Sequence, residues 1–167
     1  VALWHMDETS GTGAYIKDST ANANHGTPTG TTVVDGFYGK GRSFNGSSDY
    51  VDTGTSLNPG SQASFSVWIK TTTTTNGQRV LAKETSDWDT PFTIYTGGAG
   101  DFYFFTSKSA GGNAYCQVTF DTSGTNDNKW HNLAATVSTT TVTSYLDGIQ
   151  KNTCAWTNGI KSSTENT

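Results

Sequence analysis

Thr141-Val142-Thr143-Ser144-Tyr145-Leu146-Asp147-Gly148-Ile149-Gln150-Lys151-Asn152-Thr153 decides the fold class of this chain. Two runs rich in Thr, Val, Tyr and Ile flank Asp147-Gly148. A two-residue Asp-Gly link between such runs is the strongest short-range signal for a β-hairpin. Upstream, Phe65-Ser66-Val67-Trp68-Ile69-Lys70 alternates, with Phe65, Val67 and Ile69 on one face and Ser66, Trp68 and Lys70 on the other. That is the period of a half-buried strand. Between these landmarks the pattern predicts strands over Arg79–Lys83, Phe92–Thr96, Phe102–Thr106, Ala114–Phe120 and Trp130–Val137, with short ones at Arg42–Phe44 and Tyr50–Asp52. No stretch keeps a helical period. About a dozen short strands at regular spacing predict a sandwich or barrel rather than alternating strand and helix.

Composition agrees. Among 167 residues Thr is commonest, at 31, and Glu occurs three times, a bias toward strand formers and away from helix formers. The length fits one domain, so residues 1–167 are read as a single domain of a larger protein. The net charge of -4 excludes the basic footprint that nucleic acid or an acidic membrane surface requires. No apolar run is long enough for a membrane span, so no membrane insertion is expected. The chain begins at Val1, which suggests that a leader or upstream domain has been removed. Low charge with abundant Thr, Ser, Asn and Gly points to an extracellular or cell-surface setting. Cys116 and Cys154 allow one disulfide; two separately buried thiols are the alternative.

Asp7–Thr31 is long and polar and shows no core-forming period, and a loop of that length inside a compact domain is usually functional or tied down. It also carries part of a family resemblance. Leu3-Trp4-His5-Met6-Asp7-Glu8-Thr9-Ser10-Gly11 comes first, then Asp18-Ser19-Thr20-Ala21-Asn22-Ala23-Asn24-His25-Gly26. Gly39-Lys40-Gly41-Arg42-Ser43-Phe44-Asn45-Gly46 with Asp49-Tyr50-Val51 follows, and then Trp130-His131-Asn132-Leu133-Ala134 with Tyr145-Leu146-Asp147-Gly148. In order and spacing these four landmarks resemble the laminin-G-like jelly rolls of the concanavalin A-like lectin/glucanase group. The resemblance implies an all-β, two-sheet antiparallel jelly-roll β-sandwich. It also implies a closing C-terminal strand beside the opening one, and the chain ends without that motif. An apolar edge near Trp4 would then stay open to a strand-donating partner or to self-association.

Several enzymes share this jelly roll, so catalysis is tested on residues. Retaining glucanases need two carboxylates about 5–5.5 Å apart, whereas Glu8, Glu84 and Glu165 are isolated. Lyases of this fold need an Arg, His and Tyr cluster, and Arg42 and Arg79 stand in no such motif. His131 falls on the family's structural Trp-His position, and His5 and His25 have no nucleophile partner. The expectation is no enzyme.

Recognition remains. The resemblance implies a structural calcium at the Asp18 to Gly26 loop, with Asp18, Asn22 and Asn24 as oxygen donors; the alternative is an Asn/Asp turn satisfied by its own backbone. Asp87 and Asp89 flank Trp88, a grouping that suits a sugar or a cation but also an ordinary solvated loop. Tyr95, Tyr103 and Trp156 fall near loops or on the polar side of strand alternation, as a sugar platform requires, although most aromatics of a sandwich are core. Asn45-Gly46-Ser47 fits a glycosylation sequon but overlaps a family turn, and is read as structural. The expected function is a non-catalytic extracellular recognition module for a glycan or a cell-surface protein. A structural or adhesive domain is the alternative.

Overall fold

The computed structural model describes residues 1–54, 57–84, 90–107, 115–121 and 124–160. These residues form twelve strands and one short 3-10 turn at Gly98–Gly100. The strands are β1 (Thr27–Thr29), β2 (Thr32–Asp35), β3 (Lys40–Ser43), β4 (Tyr50–Asp52), β5 (Ala63–Lys70), β6 (Arg79–Lys83), β7 (Phe92–Thr96), β8 (Phe102–Ser107), β9 (Tyr115–Asp121), β10 (Trp130–Val137), β11 (Thr141–Leu146) and β12 (Ile149–Ala155). All pairings are antiparallel. The chain divides into two compact units, one spanning Val1–Asn58 and one beginning at Pro59.

The second unit is a sandwich of two four-stranded sheets, ordered β12-β11-β10-β5 and β6-β7-β8-β9. Strand alternation turns Phe92, Ile94, Phe104, Val118 and Phe120 of one sheet inward, each fully buried. Leu133, Ala135, Val142 and Leu146 supply the facing layer. The Phe65 ring of β5 lies against Phe92 at 4.6 Å and Phe104 at 5.3 Å between centroids, so aromatic contact joins the layers at that end. At the other end Cys116 of β9 and Cys154 of β12 form a disulfide with Cα atoms 6.1 Å apart. Nearby, Asn152 Nδ2 donates to Thr119 Oγ1 at 3.1 Å, and the buried Ser144 hydroxyl donates to the Thr119 carbonyl.

The β11–β12 hairpin turns at Asp147-Gly148 as the dipeptide predicts. Both residues have positive φ, 51° and 79°, and a two-residue turn of that kind matches the twist of the flanking strands. Long-range register comes from β5 and β10, where Phe65 faces Ala135 and Lys70 faces Trp130. The Asn132 amide reaches across to Ser66 Oγ at 3.0 Å.

The first unit pairs β1 with β4 and β2 with β3. It departs from the sequence reading in two places. The polar stretch Asp7–Thr31 contains β1, and Ile16, paired through an isolated bridge to Gly26, is completely buried. One aliphatic residue among Gly, Asn and Thr gives no periodic signal, so the pattern overlooks it. The opening Val1–Met6 segment makes one isolated bridge, Trp4 to Asp18, rather than a strand. Farther on, Asn45 Oδ1 accepts the N–H groups of Ser47, Ser48 and Asp49 at 2.9–3.2 Å, so the sequon asparagine organises its own turn.

The disulfide closes a sequence separation of 38 residues, worth about 4 kcal/mol in the chain-entropy model. Replacing Cys116 and Cys154 together by Ser should lower the unfolding free energy by about 2–4 kcal/mol in denaturant titrations. Reductant should do the same to the native protein and nothing further to the variant.

Candidate functional site

The outer face of the β6–β9 sheet collects the aromatics that the core does not use. Residues two apart share a face, so Tyr95 of β7, Tyr103 and Phe105 of β8, and Tyr115 and Gln117 of β9 point away from the Phe92–Phe120 layer. Register aligns Arg79, Tyr95, Tyr103 and Thr119 in one cross-strand row, with Thr93, Phe105 and Gln117 in the next. The Tyr95 and Tyr103 rings stack at 5.5 Å with planes 28° apart, and Phe105 and Tyr115 stack at 5.5 Å and 24°. The Arg79 guanidinium lies 5.4 Å from the Tyr95 centroid, and its Nε donates to Glu84 Oε1 at 2.6 Å. Tyr103 donates its hydroxyl to Asp101 Oδ2 at 3.2 Å. Burial raises the Tyr95 and Tyr103 hydroxyl pKa values above the ordinary tyrosine range; the Asp101 carboxylate adds to this at Tyr103, and Arg79 opposes it at Tyr95. Both phenols stay neutral donors.

Two polar atoms on this side of the sheet have no hydrogen-bond partner although buried: Thr93 Oγ1 and Asp101 Oδ1. Such a group costs about 1–3 kcal/mol when left unsatisfied. Gly97 sits against the Tyr103 ring, and a Cβ there would run into Cε2.

The predicted site residues fare differently. Tyr95 and Tyr103 are brought together. Trp156 is not part of any surface: it is 4% exposed, and its Nε1 donates to the Gly159 carbonyl at 2.7 Å. A ring so buried has no face to offer a sugar, so Trp156 is core. Asp87, Trp88 and Asp89 lie outside the described residues. Arg79, Phe105 and Tyr115 join the site unpredicted; the outward parity of β8 and β9 was the available signal, and strand register was what it lacked.

Asp18, in the first unit, is 4% exposed. Its Oδ1 accepts Leu3 N and Thr20 N, both at 2.9 Å, and its Oδ2 accepts Asn24 N and Thr20 Oγ1, both at 3.0 Å. Burial would raise its pKa, but these donors outweigh burial and hold the carboxyl well below the usual carboxylate range. Asn22 Nδ2 donates to the Val1 carbonyl, and the Asn24 carbonyl accepts Trp4 Nε1 at 2.7 Å. Asn22 and Asn24 border an open hollow of about 300 Å³ beside Asn58. Calcium needs oxygens with free lone pairs, whereas four hydrogens already point at the Asp18 oxygens. As folded, these residues do not fit a calcium site centred on Asp18. Among the described residues no group of three or more His, Cys, Asp or Glu side chains could hold a metal ion.

A family model described as the concanavalin A-like lectin/glucanases superfamily matches residues 45–167. The chain belongs to this superfamily. Among solved structures it is similar to residues 221–444 of an S-layer domain-containing protein from Clostridium thermocellum ATCC 27405, determined by crystallography at 2.1 Å resolution. Identity is 22%, the TM-score is 0.56, and the match covers 94% of this chain and 73% of that one. At that identity the likeness concerns the fold. No curated protein matches.

The superfamily name spans lectins and glucanases, and the two described glutamates each have a separate partner. Glu8 accepts the Lys17 N–H and Glu84 pairs with Arg79, while Glu165 lies outside the described residues. His131 is held between two carboxylates, with Nδ1 2.8 Å from Asp147 Oδ2 and Nε2 3.1 Å from Asp127 Oδ1. Asp147 Oδ1 also accepts Asn132 N at 2.8 Å, so the histidine clasps the hairpin turn to β10. Burial alone would lower the His131 pKa, but hydrogen bonds and charge from Asp147 and Asp127 raise it above 6.5. Both ring nitrogens are occupied, which fits a structural ion pair rather than a base.

A group with a raised folded pKa gives its full stabilisation below the unfolded value and loses it as pH rises through the folded one. Melting temperature should therefore fall as pH climbs from 6.5 into the alkaline range, and His131→Gln should flatten that limb; superimposable profiles would dismiss the clasp. Asp18→Ala should lower the melting temperature equally with and without a calcium chelator. A chelator-dependent drop in the native protein would instead demand a bound cation.

Proposed function

We propose that this superfamily member is a non-catalytic recognition module that binds glycan on the outer face of β7–β9. The observation that carries this reading is the stacked Tyr95–Tyr103 pair on the outward face, continued by the stacked Phe105–Tyr115 pair. Tyrosine offers an apolar body with a polar tip, which suits a sugar's C–H surface and hydroxyl rim. Recognition sites commonly combine such apolar area with a few placed polar groups.

The disulfide between Cys116 and Cys154 supports an extracellular or cell-surface setting, since such bonds persist in oxidising compartments. The S-layer designation of the similar structure, carried to this chain as part of the proposal, agrees with that placement.

The protein should bind members of an immobilised glycan array. Tyr103→Ala should abolish binding, and Gly97→Ala, which displaces the Tyr103 ring, should weaken it. Binding that survives Tyr103→Ala at native strength would move the site elsewhere, and an array with no binder would refute the reading.

A further inference from the structure

The stacked pairs on the outer sheet face are placed one after the other. Tyr103 and Phe105 are two residues apart on β8, about 7 Å along the strand. Tyr95 lies one strand to one side, beside Tyr103, and Tyr115 lies one strand to the other, opposite Ser107. The four rings thus form a diagonal strip about 17 Å from end to end. A pyranose unit in an extended chain is about as long as one strand-to-strand spacing, roughly 5 Å. One sugar covers one ring pair; about three units cover the strip.

The strip offers no free positive charge. Arg79 is paired with Glu84 at 2.6 Å, and Asp101, whose Oδ2 accepts the Tyr103 hydroxyl, keeps its negative charge. Between the two ring pairs the row offers Gln117, an exposed neutral hydrogen-bonding side chain beside Phe105. An anionic glycan would find no free counter-charge among these residues, whereas an uncharged one would meet ring surface and the neutral Gln117 side chain.

We propose that this face takes an extended, uncharged oligosaccharide of three or more units, with Tyr95 and Tyr103 anchoring one end and Phe105 and Tyr115 the other. The proposal rests on the glycan-binding reading above and assigns that site its ligand class. Tyr115 is 59% exposed, so its truncation leaves the core intact and isolates the far end of the strip.

The test is calorimetric titration of the 167-residue protein with cello-, xylo-, manno- and chito-oligosaccharides of one to six units. In a series that binds, affinity should rise at least about tenfold from one unit to four and then level off. Tyr115→Ala, checked for an unchanged melting temperature, should lower tetrasaccharide affinity about tenfold and disaccharide affinity much less. A monosaccharide bound as tightly as a tetrasaccharide would overturn the extended-chain assignment and leave glycan binding standing. So would a Tyr115→Ala effect that is equal at all lengths or absent. Absence of binding in every series would overturn both together.

Discussion

The contact of Phe65 with Phe92 and Phe104 is the constraint on which the second unit depends. It fixes β5 over β7 and β8, and thereby decides which face of those two strands is inside. Once Phe92, Ile94 and Phe104 are committed to the core, a side-chain period of two leaves Tyr95, Tyr103 and Phe105 no choice but the opposite face. The disulfide from β9 to β12 applies the same constraint at the far end. The aromatic strip is the reverse side of the core pattern, and its ring spacing is set by backbone register. Register fixes the Cα positions from which these rings project, and the close-packed opposite face holds that register in place.

The fold was legible because its signals are local. Alternation in Phe65–Lys70 and the Asp147-Gly148 turn each report on backbone geometry within a few residues. The family landmarks from Asp49 to Gly148 fall within the superfamily match over residues 45–167. What stayed hidden depends on partners distant in sequence. Trp156 reads as a loop aromatic until the Gly159 carbonyl closes on its indole nitrogen and buries it. Ile16 looks stray in a polar stretch until Gly26 pairs with it. Tyr95 and Tyr103 could be assigned to an outer face by parity, but their stacking, and the addition of Phe105 and Tyr115, required the register of three strands.

Asp18 shows the same limit in chemical form. An acidic residue followed by Asn22 and Asn24 reads equally well as a cation cage or as a turn. The choice turns on whether hydrogens or lone pairs face the carboxylate. Four donors face it, from Leu3, Thr20 and Asn24. The carboxylate thus ties the opening segment to the loop, a role its neighbours' backbone N–H groups define and its own identity does not.

The pairing of β5 with β10 has a kinetic meaning. Asn132 and Ser66, which touch across that ladder, are 66 residues apart in sequence. Closing so long a loop costs entropy before the ladder returns any energy, and sandwiches dominated by such contacts fold slowly. The β11–β12 hairpin needs no distant partner and can form early, offering β11 as a template to which β10 and then β5 add. Until β5 arrives, the hydrophobic faces of β7 and β8 stand uncovered. The slow step in making this protein is therefore also the interval in which it is most exposed to aggregation.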